Sequence, residues 1–248
     1  MKTSRFVSIF MALVLMLTVG ATVSPAAAAG SQTLYVSNWT TPASVGTGIT
    51  GRPTVLFDGS VYHLWYGTND TTLYHTSSTD PANFGTGTLT TYDTTPNEVT
   101  STAILLDGGT FYMIAYSPSS TKSFSVYTSM DGVNWKMGNT VFDASSISGW
   151  DKIDCPMLLK DDGLYRLYFQ MRTTEVGNPY YIYSATSTTI DGTYSGQTLA
   201  VAPGAAGSWD NPRVFQPWVV KYNGEYIMYF GGYGADAVVK TGVATSKD

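Results

Sequence analysis

Four segments of the chain align with one another without a gap, and this internal repeat constrains the fold more strongly than any other feature of the sequence. In each copy a tyrosine stands nine positions after an anchor, and a second aromatic residue stands four positions later. The anchors are Pro53, Ala103, Pro156 and Pro217, the tyrosines are Tyr62, Tyr112, Tyr165 and Tyr226, and the second aromatics are Tyr66, Tyr116, Phe169 and Phe230. The agreement predicts one structural unit present four times.

Each copy has the pattern of a β-hairpin. An apolar run such as 54–57 precedes a turn dipeptide, and an aromatic-rich run follows it. A third strand is predicted at 72–77 and its equivalents, and Trp135 in the segment 129–135 begins a fourth strand. The turn dipeptides are Asp58-Gly59, Asp107-Gly108, Asp162-Gly163 and Asn223-Gly224. Three or four antiparallel strands in every repeat predict an all-β fold, a β-propeller of four detectable blades.

Positions 1–29 have the pattern of a secretory signal peptide. Lys2 and Arg5 precede an apolar stretch at 6–23, and the small-residue run 26–29 provides a cleavage site. The alternative interpretation is a membrane anchor, although the apolar stretch is near the lower length limit for a span. We therefore expect a secreted, extracellular protein in which residues 30–248 form a single propeller domain.

The ends of the repeats suggest how the propeller closes. The repeats cover approximately 50–96, 97–147, 148–206 and 207–248, and the last one stops where an outer strand should follow. An additional strand pattern lies at 34–39, near the start of the secreted chain. We expect residues 33–40 to complete the last blade and so to join the two ends. The alternative is an incomplete five-bladed ring.

Charge and composition exclude several classes of function. After removal of residues 1–29, which contain two cations, 11 basic and 18 acidic residues remain, a net charge of −7. An acidic chain without basic runs is not expected to bind nucleic acid, or a membrane once the signal peptide is cleaved. The only cysteine, Cys155, cannot form an internal disulfide bond. No nucleotide-binding fingerprint or metal-ligand spacing is present, so neither a cofactor nor a metal is predicted.

The repeat motif resembles that of the five-bladed propeller glycoside hydrolases, the arabinanase, levansucrase and invertase-like enzymes of families 32, 43, 68 and 130. The motif is P-x-φ-φ-x-D-G-x-x-Y-x-φ-Y-Y, where φ is apolar, followed by T-S-x-D-G-x-x-W, and it extends over nearly all of residues 30–248. The resemblance implies a poly- or oligosaccharide as partner. It also implies paired carboxylates on the inner strands, one of which protonates the leaving group.

The resemblance assigns candidate roles to three carboxylates. Asp154, in Asp154-Cys155-Pro156, matches the position of a general acid in a Glu-Cys-Pro motif, although aspartate is one methylene shorter. Glu98 and Asp151 each lie five positions before an anchor and are candidates for the second carboxylate. Arg52 stands where these enzymes have an aspartate, and a guanidinium cannot accept a proton at neutral pH. The alternative function is therefore a carbohydrate-binding propeller without catalysis.

Five further residues are candidates for ligand binding. Arg52, Asp210 and Arg213 lie near the anchors and would offer charged groups to a sugar. Trp150 and Trp209 recur in two Trp-Asp pairs and would offer flat rings against which sugars pack. Each residue also has a structural interpretation. The tryptophans would pack between blades, the aspartates would cap turns, and the arginines would neutralise nearby acids.

Overall fold

The computed structural model describes residues 53–99 and 101–247, and its regular elements are strands. In the first repeat these are β1 (Thr54–Phe57), β2 (Tyr62–Asn69), β3 (Thr72–Ser78) and β4 (Thr88–Leu89). The second repeat has β5 (Thr91–Tyr92), β6 (Ala103–Asp107), β7 (Thr110–Tyr116), β8 (Ser123–Ser129) and β9 (Asn134–Asp143). The third has β10 (Trp150–Asp161), β11 (Leu164–Thr173), β12 (Tyr180–Ser187) and β13 (Ser195–Val201). The fourth has β14 (Arg213–Tyr222), β15 (Glu225–Tyr233) and β16 (Val239–Ser246).

The strands of each repeat pair in chain order as antiparallel neighbours. The orders are β1-β2-β3-β4, β6-β7-β8-β9, β10-β11-β12-β13 and β14-β15-β16. The short β5 adds to β9 in parallel, and one parallel bridge between Tyr180 and Arg213 joins the third repeat to the fourth. The predicted all-β class and the hairpin in each repeat are therefore confirmed. Closure of the ring and the number of blades in it stay predictions.

The first strands of successive repeats lie beside one another. β1 contacts β6, β6 contacts β10, and β10 contacts β14. This is the arrangement expected when blades surround an axis and their first strands face it. Side chains at the start of β10 and β14 are consequently brought together although one whole repeat separates them in the chain.

The second repeated aromatic residue anchors the hydrophobic core of each unit. All four copies are buried, and Tyr116 and Phe169 have no exposed surface. Phe169 lies 4.7 Å from the ring of Phe142 and 6.1 Å from that of Phe124, both of which belong to the preceding repeat. The repeat thus preserves a residue that packs one unit against the next.

Two of the four repeated tyrosines link neighbouring units through their hydroxyl groups. Tyr165 donates a hydrogen bond to Asp107 at the end of the preceding repeat's first strand, and Lys160 binds the same carboxylate at 2.8 Å. The arrangement recurs one repeat later, where Tyr226 donates to Asp161 and Lys221 pairs with that carboxylate at 2.7 Å. In the third and fourth repeats this tyrosine therefore makes a contact with the preceding repeat.

Tyr165→Phe is expected to lower the melting temperature by about 2–4 °C, because it removes one charge-assisted hydrogen bond from a partly exposed site. Tyr112→Phe is the matched control, since the Tyr112 hydroxyl has no hydrogen-bond partner among residues 53–99 and 101–247. Thermal unfolding followed by circular dichroism would measure both. Equal melting temperatures for the two variants would contradict the linking role.

Several predictions concern residues outside the described ranges, namely the signal peptide at 1–29, the strand at 33–40 and Arg52.

β16 is the last strand of its sheet in the described chain, and its side chains Val239 and Val243 are 52% and 60% exposed. We predict that deletion of residues 31–40 lowers the melting temperature of the secreted chain by about 5 °C or more, because the last blade would lose a strand. Unchanged thermal unfolding would contradict the idea that this segment completes the last blade.

The described residues contain no helix with the length and apolar composition of a membrane span.

Candidate active site

A cavity of about 300 Å³ lies where β10 meets β14, next to the ends of β11 and β15. Its lining combines charged, amide and aromatic side chains, so polar groups that could orient a ligand lie beside aromatic surface. The lining residues are Asp154, Cys155, Gln170, Tyr180, Arg213, Phe215, Gln216 and Tyr233. Two of the predicted site residues, Asp154 and Arg213, therefore lie in one cavity.

Two β-bulges, at equivalent positions of the third and fourth repeats, shape this cavity. Cys155 and Gln216, each directly before an anchor proline, have left-handed φ angles of 49° and 53°. The strand register breaks at the same places, between Asp154 and Met157 and between Phe215 and Trp218. Non-glycine residues in this conformation are strained, and bulges redirect side chains next to binding sites. The repeat thus positions Cys155 and Gln216 in the cavity.

Asp154 and Glu98 meet at a shared lysine beside the cavity. Nζ of Lys152 lies 3.4 Å from Oε2 of Glu98 and 3.6 Å from Oδ2 of Asp154. Because both carboxylate oxygens contact one ammonium group, the two oxygens can be no further apart than the sum of these two distances. Oδ1 of Asp154 also accepts a hydrogen bond of 2.7 Å from the backbone N–H of Cys155. The structure therefore brings Asp154 together with Glu98, one of the two candidates for its partner carboxylate.

The surroundings of this cluster affect the protonation of its neighbours. Burial alone would lower the pKa of Lys152, but the carboxylates of Asp154 and Glu98 outweigh it and hold the pKa above its usual value. Burial, reinforced by the same two carboxylates, raises the pKa of Tyr116, whose ring lies 5.1 Å from the Lys152 ammonium group. Lys152 is therefore cationic and Tyr116 neutral at neutral pH.

Asp151 and Asp210 do not line the cavity. Asp151 lies at the start of β10, is 39% exposed and accepts a 2.7 Å hydrogen bond from Nε of Arg172 on the adjacent strand. Asp210 accepts a 2.7 Å hydrogen bond from the Ser208 hydroxyl in the loop before β14. Their contacts fit the alternative interpretation, in which these aspartates stabilise local structure.

The two tryptophan rings are also directed away from the cavity. Trp150 is only 8% exposed and lies 4.8 Å from the ring of Tyr183 in the core. Trp209 stacks at 5.9 Å on Phe230 and lies against the backbone of Gly232. Neither ring lines this cavity, and their contacts fit the packing interpretation, while the predicted binding role stays a prediction.

Arg213 lies between two tyrosines of the cavity wall. Its guanidinium carbon is 4.9 Å from the ring centre of Tyr180 and 5.6 Å from that of Tyr233. Its Nε is buried and has no hydrogen-bond partner in the described chain. The predicted neutralisation of nearby acids is not seen, because no described carboxylate lies within 4.0 Å of this guanidinium.

Most of the cavity wall was not anticipated from sequence. Gln170 follows the repeated aromatic Phe169 by one position and lies opposite Asp154 in the β10–β11 pair. Gln216 occupies the repeat position of Cys155, and its backbone N–H donates to Oε1 of Gln170 at 3.4 Å. Phe215 and Gln216 occupy the same repeat positions as Asp154 and Cys155, and this equivalence is the sequence signal that could have placed them in the cavity. Tyr180 and Tyr233 have no such signal, since both reach the cavity by pairing with Arg213, Tyr180 across the bridge between repeats and Tyr233 within the β14–β15 pair.

Comparisons with known proteins identify the fold. No family model matches the sequence. Two curated proteins of Mycobacterium tuberculosis, both described as uncharacterized (MT1551 and Rv1502), are 28% identical over 187 residues. The match covers 73% of this chain and 46% of each relative, so the chain spans about half the length of these relatives.

Among solved structures, a thermostable family-43 glycoside hydrolase superposes with a TM-score of 0.68 at 18% identity, covering 85% of this chain and 72% of that one. The α-L-arabinanase of Cellvibrio cellulosa gives 0.56 at 13%, covering 77% and 71%. A family 117 glycoside hydrolase of Zobellia galactanivorans gives 0.51 at 22%, covering 60% and 52%. Likeness at these identities establishes the fold rather than the activity. The chain therefore has the β-propeller fold of the glycoside hydrolases that its repeat motif resembles.

Proposed function

We propose that this protein is a secreted, glycoside hydrolase-like propeller that binds a poly- or oligosaccharide in the cavity between β10 and β14. One observation carries the proposal. Asp154 lines the cavity and shares Lys152 with Glu98, so a sugar that contacts Asp154 would lie close to a second carboxyl group. Glycosidic bonds are hydrolysed by paired carboxyl groups on either side of the scissile bond.

In the proposed reaction Asp154 donates a proton to the glycosidic oxygen as the bond to the anomeric carbon breaks. Glu98 serves as the second carboxylate, which attacks the anomeric carbon or activates the water that does so. Lys152 holds the two carboxylates in position through its contacts of 3.4 and 3.6 Å. Retaining enzymes need a carboxyl separation of about 5–5.5 Å and inverting enzymes one of about 6.5 Å or more. The upper limit set by the two lysine contacts lies above both values and so selects neither mechanism over the other.

A second function, saccharide binding without hydrolysis, is favoured by the same lysine. Lys152 pairs with both carboxylates, and a cation between them competes with the proton transfer that hydrolysis requires. Gln170, Gln216 and the aromatic wall would bind a sugar equally well in either case. The two functions differ in turnover and share the binding site.

The test is a screen of oligosaccharides for both binding and hydrolysis. Asp154→Asn and Glu98→Gln are each expected to reduce kcat/KM by about a hundredfold or more, as loss of a general acid or base does. Asp151→Asn is the matched control, because it makes the same change on the same strand but outside the cavity, and it should retain activity.

Three results would decide between the proposals. If the wild type hydrolyses a saccharide and Asp154→Asn does not, the result supports the hydrolase proposal. Saccharide binding without turnover supports the second function. Failure of the wild type to bind any saccharide, or an equal loss of activity in Asp151→Asn, would contradict the assignment of the cavity.

A further inference from the structure

Arg213 is a cation without an anion in the part of the chain that is described. Its guanidinium has five N–H donors, yet it makes no hydrogen bond and no ion pair with residues 53–99 and 101–247. Nε is fully shielded from solvent, while the residue lines the cavity. Leaving a partly buried charge without a partner is costly, so the cavity gains most from a ligand that supplies the missing acceptor.

The surroundings of Arg213 fix it in one position. Tyr180 and Tyr233 contact the guanidinium at 4.9 and 5.6 Å, and Arg213 and Tyr180 also belong to the bridge that joins two repeats. Contacts between a guanidinium and aromatic rings restrain the cation without using its donors. A guanidinium held in this way presents a planar pair of N–H groups that matches a carboxylate.

We infer that the cavity selects an acidic saccharide, one whose sugar carries a carboxylate, and that Arg213 binds this carboxylate. The inference rests on the proposed function and names its substrate class as a uronic acid. Gln170 and Gln216 are placed to hydrogen-bond the sugar hydroxyl groups, since their side chains line the same cavity. A neutral sugar would leave the Arg213 donors without an acceptor.

The charges of the cavity are separated in the way that such a ligand needs. Asp154 lies more than 4.0 Å from the Arg213 guanidinium, because the two form no ion pair. Its carboxylate is engaged by Lys152 and by the backbone N–H of Cys155, which offset its repulsion of a second anion. A uronate would thus place its carboxylate at Arg213 and direct its other end toward Asp154.

Recognition would be local rather than a result of long-range attraction. The chain carries a net charge of −5, so its overall field does not attract anions. An acidic sugar should therefore bind with only a weak dependence on salt, unlike a ligand drawn to a basic surface. A sulfated sugar also carries a negative charge, and a guanidinium can pair bidentately with its oxygens, so it is the competing ligand class from which a carboxylate-bearing sugar has to be distinguished.

The experiment compares trisaccharides of glucuronate and galacturonate with neutral counterparts, in which CH2OH replaces the carboxylate, and with sulfated counterparts. Titration calorimetry gives the ratio of dissociation constants, which does not depend on the fraction of folded protein. We expect the wild type to favour the uronates over the neutral sugars by about tenfold or more. Arg213→Lys should reduce that ratio to near one, because lysine retains the charge but loses the planar pair of donors.

Arg166→Lys is the matched control. Arg166 also lies over a tyrosine, at 5.4 Å from the ring of Tyr226, and its Nε is likewise buried and unpartnered in the described chain, but it does not line the cavity. Its variant should retain the uronate preference. Equal or tighter binding of neutral or sulfated sugars by the wild type, or an unchanged ratio in Arg213→Lys, would overturn the inference and leave the proposed function standing. Binding of no saccharide at all would overturn the proposed function itself.

Discussion

Acidification from pH 7 to pH 4 is expected to destabilise the protein by about 3 kcal/mol through His75 alone, more than a hundredfold in the unfolding equilibrium. His75 is 9% exposed in β3, and burial, reinforced by His63 and opposed by Asp131, lowers its pKa from 6.5 to about 4. The unfolded chain therefore takes up a proton as the pH falls below 6.5, whereas the folded chain does so only near pH 4. Stability from this group is fully present above pH 6.5 and is lost between pH 6.5 and pH 4.

The contacts of His75 explain why its protonation is resisted. Its Nε2 lies 3.0 Å from Nδ1 of His63, and Nε2 of His63 lies 3.1 Å from the Asp58 carboxylate. Hydrogen bonds from the backbone of Val61 and Ser60, followed by His63, hold the pKa of Asp58 well below its usual value. The electrostatic effect of His63 adds to burial in disfavouring a cation on His75. The Trp65 ring, 4.7 Å from His75, excludes water from the pair.

Urea unfolding at pH 7, 5.5 and 4 would measure this loss. Other groups also titrate in this range, so the comparison is with His75→Gln, which lacks the buried imidazole but shares the remaining titrating groups. The wild type should lose about 3 kcal/mol more than the variant between pH 7 and pH 4. Parallel loss of stability in the two proteins would show that His75 does not titrate as its burial indicates.

The sequence predicted features set by neighbouring residues better than features set by residues far apart along the chain. The hairpins are local, because a turn dipeptide such as Asp162-Gly163 and its flanking runs fix the pairing of β10 with β11, and they were predicted correctly. In the second repeat the turn lies one position later than predicted, at Gly108-Gly109, because Asp107 pairs with Thr110. The pairing of Glu98 with Asp154 is not local. It depends on Lys152, whose side chain reaches a residue 54 positions earlier in the chain, and no periodicity records that contact.

The Trp-Asp pairs show that packing also explains a repeated dipeptide that suggested a shared binding role. Trp150 and Trp209 recur because both pack against an aromatic side chain, Tyr183 in one case and Phe230 in the other. A repeat preserves packing between units at least as strictly as it preserves a ligand site. Arg213 was placed in the cavity by its register, but its contact with Tyr180 arises from the bridge between β12 and β14, which the sequence does not indicate.

Gly232→Ala is expected to destabilise the protein by about 3 kcal/mol and to lower the melting temperature by about 6–12 °C. A Cβ atom at this position of β15 would lie 2.7 Å from Cε3 of Trp209 and 2.9 Å from Cβ of Asp210. The Trp209 ring cannot move away freely, because it stacks on Phe230 and also lies against Gly242. Gly232 precedes Tyr233, so a displaced strand would also disturb the tyrosine that contacts Arg213.

Gly85→Ala provides the control, since a Cβ there meets no atom within 4 Å, and its stability should change by less than about 1 kcal/mol. A second comparison isolates the steric cause. Trp209→Leu should cost stability in the wild type, where it removes packing, but should cost much less in Gly232→Ala, where it also relieves the clash. Additive effects of the two substitutions would instead mean that the glycine is required for a reason other than the Trp209 ring.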